Sequence, residues 1–159
     1  MNNINDYRLF WLKSPDDRLK QWREMRKEYN YESIKKLCDD VWTFWISSPD
    51  VSKTIDPYTI SSWPTIWEII KEGNTCKYSK SLAAAYNIFY INDEYDIVIA
   101  RVYDTTNSDI YIATIINNKY VLTPYSNEVE IWENINSNLK IEEQFNITNV
   151  LDMVKNRTN

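Results

Sequence analysis

The hydrophobic pattern of this chain changes its period near the middle, and that change constrains the fold more than any other feature. Up to about residue 86 the apolar residues recur at helical spacing, whereas residues 88–132 show the alternation of strands rich in Ile, Val and Tyr. A terminal helix is predicted near residues 149–155. Because repeats, linkers and low-complexity blocks are absent from the sequence, we expect residues 1–159 to form one α+β domain with an antiparallel sheet.

Local signals place the helices of the first half. Ser14 is a good cap for a helix that begins at Pro15, and a second helix is predicted over residues 32–46. A capping box starts at Thr65, and Gly73, the only glycine, lies where that helix should end in the left-handed conformation. A central helix that carries Cys76 is expected to follow directly, capped by Asn74 or Thr75, and to pack on the sheet.

The strands of the second half are predicted from alternating apolar residues between polar turns. Asparagine tolerates positive φ, so the Asn117-Asn118 pair can close a tight hairpin. The predicted strands are residues 88–91, 95–103, 109–116, 119–122 and 128–132.

The chain contains no histidine, which excludes every catalytic and metal site that depends on imidazole. Without imidazole there is no Ser-His-Asp triad, no Cys-His dyad and no histidine metal site. The two cysteines are too few for a structural zinc site, and one glycine cannot build a Walker A loop or a dinucleotide fingerprint. We therefore expect neither a metal nor a cofactor.

Charge argues against nucleic acid as a partner, and the lack of a long apolar run argues against a membrane. Eighteen basic and 23 acidic residues give a net charge of −5, so nucleic acid is an unfavourable partner. The basic residues between Arg18 and Lys36 alternate with acids, which predicts a solvated helix face. Neither a signal peptide nor an apolar run of membrane-spanning length is found, so a cytoplasmic protein without a membrane partner is expected.

The two cysteines have different surroundings in the sequence. Cys38 falls in the apolar stripe of the second predicted helix, which indicates a core residue. Cys76 falls at a helix start beside Lys77 and Lys80, and a helix dipole with nearby positive charge stabilises a thiolate. Cys76 is therefore either a nucleophile or a buried cysteine without chemistry.

The segment from about residue 74 to residue 125 resembles the core of the transglutaminase-like, papain-like cysteine fold. Thr75-Cys76-Lys77-Tyr78 opens a helix, and an aromatic strand, Asn117-Asn118 and Lys119 to Pro124 follow. In that family a nucleophilic Cys starts the central helix, a His opens a strand, and a later aromatic strand ends in Asp-Pro. The resemblance places Cys76 at the nucleophile, Asp109 at the His and Thr123 at the Asp, with Tyr111, Tyr120 and Pro124 at further family positions.

The resemblance implies a retained scaffold in which two of three catalytic positions have changed. Asp109 could act as the base only if positive charge offsets it, because a carboxylate near a thiol raises the thiol pKa. The leading hypothesis is a non-catalytic binding or structural protein. The alternatives are a cysteine-dependent enzyme for acyl transfer or amide hydrolysis with Cys76 as nucleophile, and a small acidic inhibitor of a host protein.

Composition and aromatic content bear on the partner. Ile, Asn, Lys and Tyr have A/T-rich codons, which favours an A/T-rich genome such as that of a bacteriophage, and transglutaminase-like domains also occur among tailed-phage proteins. A virion or assembly component, with other virion proteins or a host protein as partner, is the narrower expectation. Among seven Trp and twelve Tyr, the predicted interaction surface is Tyr58, Trp63 and Trp67.

Overall fold

Helices occupy the first half of the chain and an antiparallel sheet the second, so the predicted α+β fold is confirmed. The computed structural model describes residues 4–29, 33–52 and 54–157. The helices are α1 (Ile4–Trp11), α2 (Pro15–Glu28), α3 (Ile34–Ile46), α4 (Ile66–Glu72), α5 (Ser79–Ile91), α6 (Trp132–Ile135) and α7 (Ile147–Arg157), with 3-10 turns at Ile60–Ser62 and Asn136–Asn138. The strands are β1 (Ile97–Asp104), β2 (Asp109–Ile116), β3 (Tyr120–Leu122), β4 (Glu130–Ile131) and β5 (Leu139–Asn146).

The sheet has the order β4-β3-β2-β1-β5, and each neighbouring pair is antiparallel. Asn117 and Asn118 have φ angles of 51° and 56° and close the turn between β2 and β3, as predicted. Helices α1 to α4 and α7 pack around α5 on one face of the sheet. Trp132 and Ile135 pack against a second, smaller apolar cluster, which is formed by other residues of the sheet.

Two parts of the predicted element pattern are wrong. Residues 88–91 are the last turn of α5 and not a strand, because a short apolar run has no period that separates a strand from a buried helix. Strand β5 was missed. Its register on β1 shifts beside Arg101 and Val102, and this bulge, together with Glu142 and Glu143, interrupts the apolar alternation.

The local helix signals are found where the sequence predicts them. The Ser14 side chain accepts the N–H of Asp17, Thr65 and Glu68 form a reciprocal capping box, and Gly73 has φ +74°. Ser33 caps α3 through the N–H of Lys36, whereas the predicted start of that helix at residue 32 lies outside the described residues.

Arg18 corrects the prediction of a solvated basic face on α2. Its guanidinium is buried and donates from Nε to the carbonyl of Ile70 at 2.8 Å and from Nη2 to the carbonyl of Lys71 at 2.5 Å. A cation at a helix C-terminus satisfies carbonyl groups that the helix leaves unpaired. A Cβ at Gly73 would lie 2.8 Å from Arg18 Cζ, so a side chain there would push the guanidinium away from these carbonyl groups, and the φ of +74° also favours glycine.

Asn87 ties three helices together inside the core. It lies on α5, is fully buried, and its Oδ1 accepts the indole N–H of Trp22 at 3.2 Å and that of Trp45 at 3.0 Å. These tryptophans lie on α2 and α3, and both are fully buried. One amide oxygen thus satisfies two indole donors that would otherwise be buried without an acceptor.

We expect Asn87→Ala to lower the free energy of unfolding by about 2–4 kcal/mol, because it leaves both indole donors unsatisfied. Urea unfolding followed by circular dichroism measures the loss. Ser81→Ala is the matched control, since Ser81 is also fully buried on α5 and its hydroxyl has no hydrogen-bond partner. The control should change stability by less than about 0.5 kcal/mol or increase it. Equal losses for the two variants would contradict the role of Asn87.

Candidate functional site

Cys76 lies in the turn that leads into α5. The predicted caps are wrong: α5 begins at Ser79, while the Thr75 hydroxyl pairs with that of Ser48 at 2.6 Å and Thr75 bridges to Asp50. The carbonyl of Cys76 accepts the N–H groups of Ser79 and Lys80, each at 3.1 Å. Two amide donors at this end of the helix therefore point at the backbone of Cys76 and not at its sulfur.

Cys76 is 4% exposed and lines a small cavity. Ser79 accepts the N–H of Cys76 at 2.8 Å through Oγ and donates to the sulfur at 3.5 Å. The cavity has a volume of about 240 Å³, and its other lining residues are Asp50, Val51, Lys77, Lys80, Pro124 and Tyr125. The cysteine thus faces a space that could admit a small group.

The two lysines beside Cys76 are both neutralised by carboxylates. Lys77 Nζ contacts Asp109 Oδ1 at 2.8 Å, and Lys80 Nζ contacts Asp50 Oδ1 at the same distance. The hydrogen bond to Asp109 raises the pKa of Lys77 despite partial burial of the ammonium group. The positive charge that the sequence places near the thiol is therefore committed to ion pairs.

Asp109 begins β2 and has three partners for its carboxylate. Oδ1 accepts from Lys77 Nζ at 2.8 Å and from the N–H of Ile110 at 2.9 Å, and Oδ2 accepts the hydroxyl of Tyr125 at 2.6 Å. Burial acts to raise the pKa of Asp109, but these hydrogen bonds and the charge of Lys77 outweigh it and lower the pKa. The hydrogen bond to Asp109 raises the pKa of Tyr125 in turn.

Thr123 and Tyr111 belong to a second, buried network. The Tyr111 hydroxyl donates to Asp104 Oδ2 at 2.7 Å, and Thr123 also hydrogen-bonds Tyr111. Burial and the bond to Asp104 raise the pKa of Tyr111. Burial opposes the lowering of the Asp104 pKa, but hydrogen bonds from Asn107, Tyr111 and the loop backbone prevail. The Tyr111 and Tyr125 rings lie 5.2 Å apart and join this network to Asp109.

Cys38 is a core residue, as its place in the apolar stripe predicts. It is fully buried in α3, and burial raises the pKa of its thiol to about 12, with Asp39 adding to the effect. Cys38 therefore offers no thiolate near neutral pH.

The predicted interaction surface is wrong at Trp63. Trp63 is 1% exposed, and its indole N–H donates to the carbonyl of Asp56 at 2.7 Å. Tyr58 and Trp67 are 58% and 39% exposed. Tyr58 stacks under Arg101, whereas Trp67 contacts Trp22 and Tyr90, so the two exposed aromatics have different neighbours. Whether either binds a partner stays a prediction.

Sequence reasoning missed three residues of the site. Ser79 could have been found from its place three residues after Cys76, at helical spacing. Tyr125 and Asp50 carry no comparable signal, because they reach the cavity from the loop after β3 and the loop after α3. The pairing of Lys77 with Asp109 joins positions 32 residues apart and depends on the packing of α5 on β2.

The described residues include no group of three or more His, Cys, Asp or Glu side chains placed to hold a metal ion. Nor does any helix in this part of the chain have the length and apolar character that crossing a membrane requires.

Solved structures of LapG from Legionella pneumophila have the same fold as this chain. One LapG structure has a TM-score of 0.70 at 13% identity and covers 100% of this chain and 99% of LapG. A calcium-bound LapG has a TM-score of 0.69 at 12% identity over 91% and 84% of the two chains, and an EGTA-treated one has 0.68 at 13% over 92% and 83%. No protein-family model and no curated protein matches the chain. The similarity confirms the expected transglutaminase-like fold.

The ion pair between Lys77 and Asp109 predicts a pH dependence of stability. The folded pKa of Asp109 is lowered, so its contribution is present above the unfolded value of about 4 and is lost as pH falls through the folded pKa. The folded pKa of Lys77 is raised, so its contribution is lost only as pH rises through that value. Asp109→Asn should therefore be less stable than the native chain at pH 7, and urea unfolding should show the difference shrinking below pH 4. A constant difference would contradict the ion pair.

Proposed function

We propose that this chain is a non-catalytic binding or structural protein built on a transglutaminase-like fold. The observation that carries the proposal is the set of contacts made by Asp109, the residue that the resemblance places where the family has histidine. Its carboxylate is engaged by Lys77, Tyr125 and the N–H of Ile110. A group held in this way supports the architecture of the cavity and does not serve the sulfur.

Proton transfer supports the same proposal. An ordinary carboxyl has a pKa about four units below an ordinary thiol, so it is a poor base for one, and the lowered pKa of Asp109 makes it poorer still. The positive charges of Lys77 and Lys80, which could favour a thiolate at Cys76, are balanced by Asp109 and Asp50. Nucleophilic catalysis needs an activated sulfur, and these contacts supply no activation.

A cysteine-dependent enzyme for acyl transfer or amide hydrolysis is the second candidate. Cys76 borders a cavity, Ser79 donates a hydrogen bond to its sulfur, and the fold is shared with LapG. In this alternative Cys76 is the nucleophile and an unorthodox group assists it. A small acidic inhibitor of a host protein is a third hypothesis, supported by the net charge of −5 alone.

Alkylation of Cys76 by iodoacetamide separates the first two candidates. We expect the native chain at pH 7 to react more slowly at Cys76 than N-acetylcysteine does, because the thiol is buried and not activated. Mass spectrometry of a Cys38→Ala variant follows this thiol alone, and Cys76→Ser is the unreactive reference. Reaction faster than N-acetylcysteine, with a rate that is already maximal below pH 8, would favour the enzyme.

The positive control rebuilds the family pattern in one variant, Asp109→His with Thr123→Asp. An imidazole near the sulfur stabilises a thiolate, so this variant should be alkylated faster at pH 7 than Asp109→Asn with the native Thr123. Circular dichroism verifies that each variant is folded.

The narrower proposal is a virion or assembly component of a bacteriophage, and its support is the high content of Ile, Asn, Lys and Tyr, whose codons are A/T-rich. Such a role requires a stable complex with other virion proteins. The experiment expresses the tagged chain during phage infection of the host bacterium. The tagged chain should co-purify with phage particles, at a constant number of copies per particle. A strictly monomeric protein, absent from particles, would contradict it.

A further inference from the structure

Arg26 lies among three aromatic rings at the surface where α2, α4 and α5 meet. Its guanidinium carbon is 4.2 Å from the ring centroid of Trp22, 5.7 Å from that of Trp67 and 5.9 Å from that of Tyr90. Trp22 is fully buried, while Trp67 is 39% and Tyr90 is 38% exposed. Contacts of 5.3 Å between Trp22 and Trp67 and 5.7 Å between Trp67 and Tyr90 hold the rings in place.

The charge of Arg26 has no anionic partner among the described residues. Its Nε is buried without a hydrogen-bond acceptor, and no ion pair within residues 4–29, 33–52 and 54–157 includes it. Burial lowers the pKa of Arg26, and the nearby charge of Arg23 lowers it further. Rings compensate a cation only in part, so the described part of the chain leaves the Nε of Arg26 without an acceptor.

Arg101 shows the same arrangement with its acceptors present. Its guanidinium carbon lies 4.4 Å from the ring centroid of exposed Tyr58, and its nitrogens donate to Glu142 at 3.1 Å and Glu143 at 3.4 Å. Both arginines lie over aromatic rings, but within the described residues carboxylate partners are found for Arg101 and not for Arg26. By analogy with Arg101, a carboxylate is the group that would complete the contacts of Arg26.

A groove beside Arg26 provides apolar contact next to the charge. It has a volume of about 410 Å³ and lies between α4, α5 and α7. Its apolar walls include Ile66, Leu151 and Val154, and the exposed rings of Trp67 and Tyr90 border it. Asp152 and Lys155 line the α7 side, and no described ion pair joins Asp152 to Arg26.

We propose that Arg26, Trp67 and Tyr90 form a docking surface for a partner-protein segment that carries an Asp or Glu beside an apolar side chain. The carboxylate accepts from the guanidinium of Arg26, and the apolar side chain enters the groove. Arg, Trp and Tyr are the residue types that dominate binding energy at protein interfaces. The inference rests on the proposed binding function and names the surface and the partner chemistry for it.

A protein carboxylate fits this surface better than a nucleic-acid phosphate. The chain has a net charge of −5, so a polyanion is repelled at long range, whereas a short segment with one or two acidic residues carries little charge. The apolar groove beside the cation also matches a segment that alternates acidic and apolar side chains. Nucleic acid is therefore an outcome of the test and not the proposal.

The test selects ligands from a displayed library of heptapeptides randomised at all seven positions, with the full native chain as bait. Peptides with Asp or Glu next to Leu, Ile or Phe should be enriched. The best peptide, synthesised with capped ends, should lose about tenfold or more in affinity for Arg26→Gln and for Trp67→Ala by calorimetry. Arg101→Gln is the matched control, because Arg101 also lies over an aromatic ring but is outside this surface. This variant should bind the peptide as tightly as the native chain does.

Four outcomes overturn the proposal. They are selection of no peptide, selection without acidic residues, equal binding by Arg26→Gln, and competition for the same surface by a single-stranded oligonucleotide. Circular dichroism verifies that each variant is folded, and Arg26→Lys, which keeps the charge without the planar stack, should bind with intermediate affinity.

Failure here and failure of the proposed function are distinguishable. Repeating the selection with Cys76→Ser shows whether peptide binding is independent of any covalent reaction at Cys76. If it is, rapid alkylation of Cys76 in the native chain would refute the non-catalytic function and leave the docking result intact. Loss of the acidic preference with a slowly alkylated Cys76 would refute the docking surface alone.

Discussion

The burial of α5 is the constraint on which the rest of this structure depends. Ala83, Ala84 and Ala85 are fully buried and keep the middle of the helix narrow, so α3, α4 and the sheet can pack close to it. Asn87, which this helix carries inside the core, accepts two indole donors with its Oδ1, from Trp22 on α2 and from Trp45 on α3. Hydrogen bonds to one amide oxygen therefore join α2, α3 and α5, in addition to the apolar contacts between these helices.

The two ends of α5 carry two different sites. Cys76 and its cavity precede the first turn, while Tyr90 borders the aromatic surface near the last. A helix of this length separates them by about 20 Å, since each residue adds 1.5 Å. A ligand on one site does not reach the other. The proposed loss of chemistry at the cavity is thus compatible with the proposed docking surface at the opposite end of the same helix.

The state of the cavity follows from electrostatic pairing and not from the absence of histidine alone. The resemblance places the missing imidazole at Asp109, yet a free carboxylate there would repel a thiolate. Lys77 and Tyr125 engage that carboxylate, and Asp50 engages Lys80. These contacts pair both the positive and the negative charges beside Cys76. What remains is a buried thiol in a closed hydrogen-bond arrangement, which favours binding or support over nucleophilic attack.

The sequence by itself determined the elements whose signals are local. The Thr65 capping box, the left-handed Gly73 and the bounds of β2 follow from residues within a few positions of one another. Tertiary structure decided the features that join distant segments: the register of β5, the burial of Trp63 and of Arg18, and the pairing of Lys77 with Asp109. The physical reason is that helix caps and strand alternation depend on neighbours along the chain. Burial and charge pairing depend on which surfaces meet after the chain has folded.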